Sequence, residues 1–177
     1  HHPGIDVRFE DVPIEQVLSG LHSGGADIGF GPAGVPVDEA LEVHMLRVDP
    51  LWIGLNQNDP LTTKKSVNWK DLGDRPLFNY MPNLTRNVLS HVPQRHHPQR
   101  VISVHRVNTA LSMLRVRQGY VICPSMARSF VEGFGLAFRP LCQPTVTWRI
   151  AAFARHRASL SPAVESFLDF TLTTSTT

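Results

Sequence analysis

Residues 14–32 read Ile14-Glu15-Gln16-Val17-Leu18-Ser19-Gly20-Leu21-His22-Ser23-Gly24-Gly25-Ala26-Asp27-Ile28-Gly29-Phe30-Gly31-Pro32, and the fold class follows from this stretch. Ile14, Val17, Leu18 and Leu21 recur at the i, i+3, i+4, i+7 spacing of an amphipathic helix, and Gly24-Gly25 supplies the left-handed C-cap that ends one. A short apolar strand follows from Ala26 to Phe30 and closes on Gly31-Pro32. A second apolar strand, Ile5 to Phe9, is expected ahead of the helix. Strand, helix and strand in that order predict a β-α-β unit, hence a parallel sheet with the helix on one face. Ligands of such sheets sit beyond the carboxyl ends of the strands, here around Val12-Pro13-Ile14 and Gly31-Pro32-Ala33.

Further along, Leu51–Leu55 is apolar and long enough for one strand, and the polar turn Asn56–Pro60 follows it. A helical turn at Lys70–Asp74 stops at Gly73. A strand at Leu77–Tyr80 leads into a helix opened by Pro82-Asn83, with Leu84, Val88, Leu89 and Val92 on its apolar side. After a polar loop come a strand at Val101–Val104 and a helix capped by Asn108 that ends at Gly119. Tyr120–Cys123 reads as a buried strand, Pro124 breaks it, and Ser125 caps a short helix. Val146–Phe153 is a long strand, and Ser161-Pro162 starts the last helix with the favoured N-cap and first residue. The middle of the chain therefore repeats the strand-helix-strand logic of the beginning. This predicts an α/β protein of two Rossmann-like lobes joined by two crossover strands: residues 1–54 and 146–172 form lobe I, 55–145 form lobe II, and 173–177 form a disordered tail.

With 177 residues, 42% hydrophobic and 18% charged, the chain can bury a real core. Net charge is +2 and the arginines are scattered, so the basic stripe of a nucleic-acid-contacting face is missing. No run of about 18 apolar residues exists to span a bilayer, and the first residues lack the basic and apolar regions of a signal peptide. The two cysteines, Cys123 and Cys142, suit a reducing, cytoplasmic setting and structural thiols. His91, His96 and His97 lie in a Pro-interrupted loop without zinc-ligand spacing, so no metal is expected. Neither a Gly-x-Ser-x-Gly elbow nor a Walker loop occurs. No cofactor is expected, and the chain does not read as an enzyme.

Pro3–Val7, Asp11, Leu21, Gly24 to Gly29, Asp49-Pro50-Leu51, Asp59-Pro60-Leu61, Asp71-Leu72, Pro76-Leu77, Val116–Pro124 and Leu160–Ala163 with Phe167, in this order and spacing, resemble the effector-binding domain of LysR-type transcriptional regulators. The resemblance covers nearly the whole chain. It implies the type 2 periplasmic-binding-protein fold, two α/β lobes with a ligand cleft between them. Relative to the family pattern, the amino-terminal winged helix-turn-helix, the linker helix and the first strand and helix of lobe I are missing. DNA would be bound only through that missing domain. The family pairs such domains side by side, so a homodimer or tetramer is implied, with no membrane partner. Pro32 stands where members sensing dicarboxylates often place an arginine, which points away from a dianionic effector.

Carried onto this sequence, the resemblance implies an effector site lined by Pro13, Ile14, Gly31, Pro32 and Ala33 from one lobe. From the other lobe come Tyr80, Asn83, Thr85, Val107, Asn108, Pro124 and Ser125. Helix N-termini at Asn83, Asn108 and Ser125 expose amides that hold a carboxylate without a buried lysine, so the expected partner is a small organic anion. Asn83, Thr85, Asn108 and Ser125 would add side-chain donors. Asn108 and Ser125 are equally the residues an N-cap requires with no ligand present, and Tyr80 suits a lobe core as well as a pocket wall. The expected function is an effector-sensing and oligomerising domain of a transcriptional regulator; the alternative is a solute-binding protein of the same fold.

Overall fold

The computed structural model describes residues 4–175. Two compact units emerge, one ending at Val48 and resuming at Arg149, the other running from Asp49 to Trp148.

In the first unit, helix α1 (Ile14–Ser23) starts after Pro13 and ends on Gly24, whose φ of 75° is the left-handed C-cap conformation. It lies on strand β1 (Ile28–Pro32) through two glycines. A Cβ on Gly29 would sit 2.2 Å from Val17 Cγ1, and one on Gly31 would sit 2.6 Å from Ile14 Cδ1. Helix and strand approach this closely because those side chains are absent. Strand β2 (Leu41–Asn56) begins in this unit. Strand β8 (Thr147–Arg155) pairs β1 antiparallel, from Ile28 opposite Ala154 to Pro32 opposite Ile150. Ala151 and Phe153 pack with Leu21 and α1 on one face, while Ala152 and Ala154 pack with Leu168 of helix α5 (Pro162–Ser175) on the other. Both faces of the strand are buried, as its continuous apolar sequence requires.

Two expectations are corrected here. Ile5–Phe9 forms no strand, and Phe9 is 83% exposed. The partner of β1 is β8, running antiparallel, so no β-α-β unit forms around α1. Alternation gave residues 5–9 one apolar face, but a strand exists only through backbone pairing, and none is made there among the described residues. The last helix also runs past Leu172 through Ser175, with Thr171, Thr173 and Thr174 each donating a hydroxyl hydrogen bond to the carbonyl four residues back; residues 176–177 lie outside the described residues.

In the second unit, the distal half of β2 lies between strand β6 (Tyr120–Pro124) and strand β7 (Leu136–Cys142), antiparallel to both. Strand β4 (Leu77–Asn79) lies between β6 and strand β5 (Val101–Ser103) and is parallel to both. Strand β3 (Val67–Asn68) runs parallel to β7. Helix α2 (Pro82–Ser90) falls between β4 and β5 in the chain, helix α3 (Val107–Val116) between β5 and β6, and helix α4 (Arg128–Gly133) follows β6. Along β6, Tyr120 and Ile122 pack with Leu51, Ile53, Leu55 and Trp69, while Val121 and Cys123 pack with Phe78, Leu111, Leu114 and Phe138. Leu51–Leu55 thus belongs to this unit, and the division falls at 48/49 and 148/149, where the sequence pattern suggested 54/55 and 145/146.

Candidate functional site

In the second unit the parallel strands β4 and β5 end together, with Asn79 opposite Ser103, and β6, whose first residue Tyr120 lies opposite Leu77, runs on beside β4 to Pro124. From each end the chain turns into helical structure, so three helical N-termini gather at one sheet edge. Neither α2 nor α3 receives a side-chain cap; Met81 and Arg106 occupy the N-cap positions. In α2, Pro82 has no N–H and the Thr85 amide reaches the Met81 carbonyl (2.9 Å), which leaves the amides of Asn83 and Leu84. In α3, the amides of Thr109 and Ala110 both reach the Arg106 carbonyl (3.1 and 3.3 Å), which leaves those of Val107 and Asn108. Each end also carries the positive pole of its helix.

Asn108 is therefore not a cap. The helix starts one residue earlier, because Arg106 takes the extended conformation of an N-cap and Val107 is already helical. The Asn108 side chain is exposed, as is that of Asn83.

At the third terminus the anion is built in. Asp49, 1% exposed, accepts the Ser125 hydroxyl (Oγ–Oδ1 3.1 Å) and the Met126 amide (N–Oδ2 2.9 Å). Ser125 is the first residue of a 3-10 turn, Ser125–Ala127, and not its cap. Its hydroxyl proton is committed to Asp49, which corrects its role as a free donor. Thr85 is corrected likewise: its Oγ1 donates to Asn79 Oδ1 at 2.9 Å, and the Met81 amide donates to the same oxygen at 3.1 Å. The buried Asn79 thereby fixes the corner between β4 and α2. Neither Asn79 nor Asp49 stands out in the sequence by its own chemistry. An Asn two residues before a Met-Pro helix start is the one local hint, since Asx side chains bind amides two residues on.

Tyr80 packs against the Phe78 core with Val107 and donates its hydroxyl to Cys123 Sγ at 3.4 Å. Burial raises the Tyr80 phenol far above its usual range and pushes the Cys123 thiol up to about 11, the Tyr80 hydrogen bond opposing part of the latter. Both stay protonated near neutrality, so Cys123 is no nucleophile. Pro124 closes β6 and is buried.

In the first unit the structure brings Ile14, Gly31 and Ala33 together. The Pro13 carbonyl accepts the amides of Gln16 and Val17 at 2.9 and 3.1 Å, the Ala33 amide reaches Arg149 O at 2.9 Å, and Pro32 pairs Ile150. The space left by the missing Gly31 side chain is filled by the Ile14 methyl. Two histidines of the loop after α2 have structural partners: His97 Nε2 meets the carbonyls of Leu89 and Val92 at 3.0 and 2.9 Å, and Arg95 Nε donates to His96 Nε2 at 3.2 Å.

No helix among the described residues is long and apolar enough to cross a membrane. The family model for the LysR substrate binding domain matches residues 1–175. An HTH-type transcriptional regulator of Escherichia coli K12, YbhD, itself uncharacterized, is 20% identical over 169 residues, which are 94% of this chain and 53% of that protein. The chain thus spans about half the length of that regulator. The BenM effector binding domain with its effector benzoate superposes with a TM-score of 0.82 at 23% identity, covering 98% of this chain and 79% of that one. HinK, a LysR family transcriptional regulator from Pseudomonas aeruginosa, reaches 0.86 at 20% identity, covering 98% and 61%. Likeness at this level of identity shows the fold, here the mixed α/β architecture of the type 2 periplasmic-binding proteins, and the match along almost the entire chain shows the family. The protein belongs to the LysR substrate-binding domain family, whose members here are transcriptional regulators.

Proposed function

We propose that this domain senses a small organic anion, whose carboxylate is held at the carboxyl edge of β4, β5 and β6 by the amides of Asn83 and Leu84 and of Val107 and Asn108. The observation that carries this reading is the pair of helix ends without side-chain caps on adjacent parallel strands. Amides at such ends bind carboxylates without a lysine, at a modest desolvation cost. The Asn83 and Asn108 carboxamides supply orientation, while Tyr80 and Pro124 form apolar wall. In the first unit, Pro13, Ile14, Pro32 and Ala33 offer apolar surface and Gly31 shapes it. Binding would regulate transcription in the full-length protein, DNA being contacted by a separate amino-terminal domain and the effector domain supplying homodimer or tetramer contacts. The solved structures include the BenM effector binding domain with its effector benzoate and that of QuiR in complex with shikimate; both ligands are monocarboxylates, which agrees with the anion class.

The test is a calorimetric and thermal-shift survey of monocarboxylates, followed by Asn83→Asp and Asn108→Asp. Both positions are exposed, so the fold tolerates the change while the new charge opposes the bound carboxylate. A hit whose affinity falls at least tenfold in each variant supports the site. A hit with unchanged affinity in both variants removes it.

A further inference from the structure

The same three parallel strands have an amino edge, and there the second unit holds a cavity of about 410 Å³. Arg75-Pro76 precede β4, Arg100 precedes β5, and Arg117-Gln118 with Gly119 precede β6. Two main-chain hydrogen bonds hold these segments side by side, Leu77 N to Arg100 O at 2.9 Å and Tyr120 N to Pro76 O at 3.0 Å. Pro76, Phe78 and Ile102 give the cavity apolar walls. Gly119 is required at this corner: its φ is +153°, and a Cβ there would lie 2.4 Å from the Phe78 ring.

The charges lining the cavity are unequal. Arg75 is satisfied, with Nε and Nη2 on the Asp59 carboxylate at 2.9 and 3.2 Å and Nη1 on the carbonyls of Asp71 and Leu72. Arg100 and Arg117 are exposed, and their guanidinium groups make no ion pair or hydrogen bond among the described residues. Asp74 is the one carboxylate in the lining. With Arg75 neutralised by Asp59, two guanidinium charges face one carboxylate, an excess of one positive charge. Strand order β6-β4-β5 puts the segment from Arg117 to Gly119 that leads into β6 and Arg100 on either side of Pro76, with two strand spacings, roughly 10 Å, between the outer strands at this edge. Two arginine side chains close that gap easily around one oxyanion.

We propose that this cavity is a second anion-binding site, distinct from the carboxyl edge, that takes a compact organic molecule with one carboxylate or phosphate group: Arg100 and Arg117 pair the oxyanion, and its apolar body lies on Pro76 and Ile102. Guanidinium is the side chain suited to planar, bidentate pairing with either group. The volume lies within the range of small-molecule sites. The site does not depend on the effector reading above, because the two edges share no ligand-facing residue.

The experiment is a two-dimensional amide NMR titration of the protein with phenylacetate and with phenyl phosphate, using 2-phenylethanol as the uncharged control. The expected result is saturable movement of the Ile102, Gln118 and Gly119 resonances with one or both anions, and none with the alcohol. Movement with only one anion assigns the head group. Arg100→Gln with Arg117→Gln raises the dissociation constant at least tenfold, and each single variant raises it at least threefold. The single variants keep the test readable if the double variant folds poorly. Absence of movement at these amides with both anions, equal movement with the alcohol, or unchanged affinity in the single variants overturns the proposal. Shifts confined to Asn83, Leu84, Val107 and Asn108 place the anion at the carboxyl edge and overturn it too, while leaving the effector proposal standing.

Discussion

Helix α1 of the first unit and helix α2 of the second both begin without a side-chain cap, yet different forces hold them on their sheets. Helix α1 is seated by absence: Gly29 and Gly31 leave room that Val17 and Ile14 fill. Helix α2 is seated by a polar anchor, the buried Asn79 oxygen that collects an amide and a hydroxyl. The first arrangement depends on shape and tolerates no added atom, and the second depends on satisfied hydrogen bonds and tolerates no lost acceptor.

The largest expected effect comes from adding atoms to the first seam. Gly29→Val places a branched side chain where a single Cβ already meets Val17 Cγ1 at 2.2 Å, and overpacking of this kind costs about 1–3 kcal/mol or more. Gly31→Ala gives a smaller loss, because Ile14 Cδ1 is the end of a side chain that can turn. Ile14→Val removes that atom, so it should restore much of the stability of Gly31→Ala in a double-mutant cycle by urea unfolding. Additive losses would mean that α1 is not seated on Gly31.

Next in size is the polar anchor. Asn79→Ala leaves the half-buried Met81 amide and Thr85 hydroxyl without their acceptor, with an expected cost of about 1 kcal/mol, the lower end of the range for unsatisfied donors. Thr85→Val in the same background should add little, since its hydroxyl has already lost its partner. If Asn79→Ala melts within a degree of the parent protein, the contrast between the two helix seats collapses.

These two seams also explain what the sequence could reveal. The 3.6-residue spacing and Gly24 made α1 legible, and the apolar run Tyr120–Cys123 made β6 legible, because both signals are local. The partner of β1 was not legible, since periodicity says that a strand has two faces and nothing about which edge it joins. The first half of β2 was hard to place because its exposure runs against its chemistry: Val43 and Met45 are exposed while Glu42 and His44 between them are half-buried. Asp49 and Ser125 meet across 76 positions, so the caps expected from Ser125 and Asn108 could only be judged against a partner or a helix start that local pattern does not specify. The arginines look scattered along the chain, and only the parallel strands bring Arg75, Arg100 and Arg117 to one edge. Asn83 and Asn108 lie in the first turns of α2 and α3, where Pro82 and the run after Arg106 give a local signal, whereas the hydroxyls at 85 and 125 read as free because their acceptors are set by tertiary packing.

A smaller effect separates the two thiols of the second unit. Cys123 is buried and its thiol is pushed up to about 11, while Cys142 is partly exposed. A disulfide reagent at neutral pH should therefore label Cys142 first, with Cys123 reacting only on unfolding. Tyr80→Phe removes a weak O–H to sulfur hydrogen bond, with an expected cost of less than about 1 kcal/mol. It should not expose Cys123, because burial and not the phenol is the main cause of its inertness. Fast labelling of Cys123 in the folded parent would contradict this.

The smallest effect distinguishes the units by pH. In the first unit, His156 presents Nδ1 to Glu42 Oε1 at 2.9 Å and Nε2 to the Glu39 carbonyl at 2.7 Å; His22 presents Nδ1 to the Leu18 carbonyl at 2.7 Å and Nε2 to Asp38 Oδ2 at 2.9 Å. Two acceptors per ring are satisfied only by the doubly protonated imidazolium, so both histidines are raised above 6.5: His156 chiefly by Glu42, and His22 chiefly by the Leu18 carbonyl and then by Asp38. A raised histidine contributes stability that is complete below its unfolded value and lost as pH climbs through its folded value. Glu42 and Asp38 are lowered, chiefly by their hydrogen bonds to His156 and His22, and their contribution is lost in the opposite direction, as pH falls through their folded values. Both pairs are thus complete between the ordinary carboxylate range and about 6.5 and weaken above it. His22, Asp38 and His156 are exposed and Glu42 is only half-buried, so the effect is small and salt-sensitive. A titration of the histidine ring resonances should show His22 and His156 losing their protons later than an unperturbed imidazole, and Glu42→Gln should return His156 toward 6.5 while His22 stays raised. If His156 keeps its position in Glu42→Gln, the Glu39 carbonyl alone holds the proton, and the carboxylate has no part in how this surface of the first unit responds to pH.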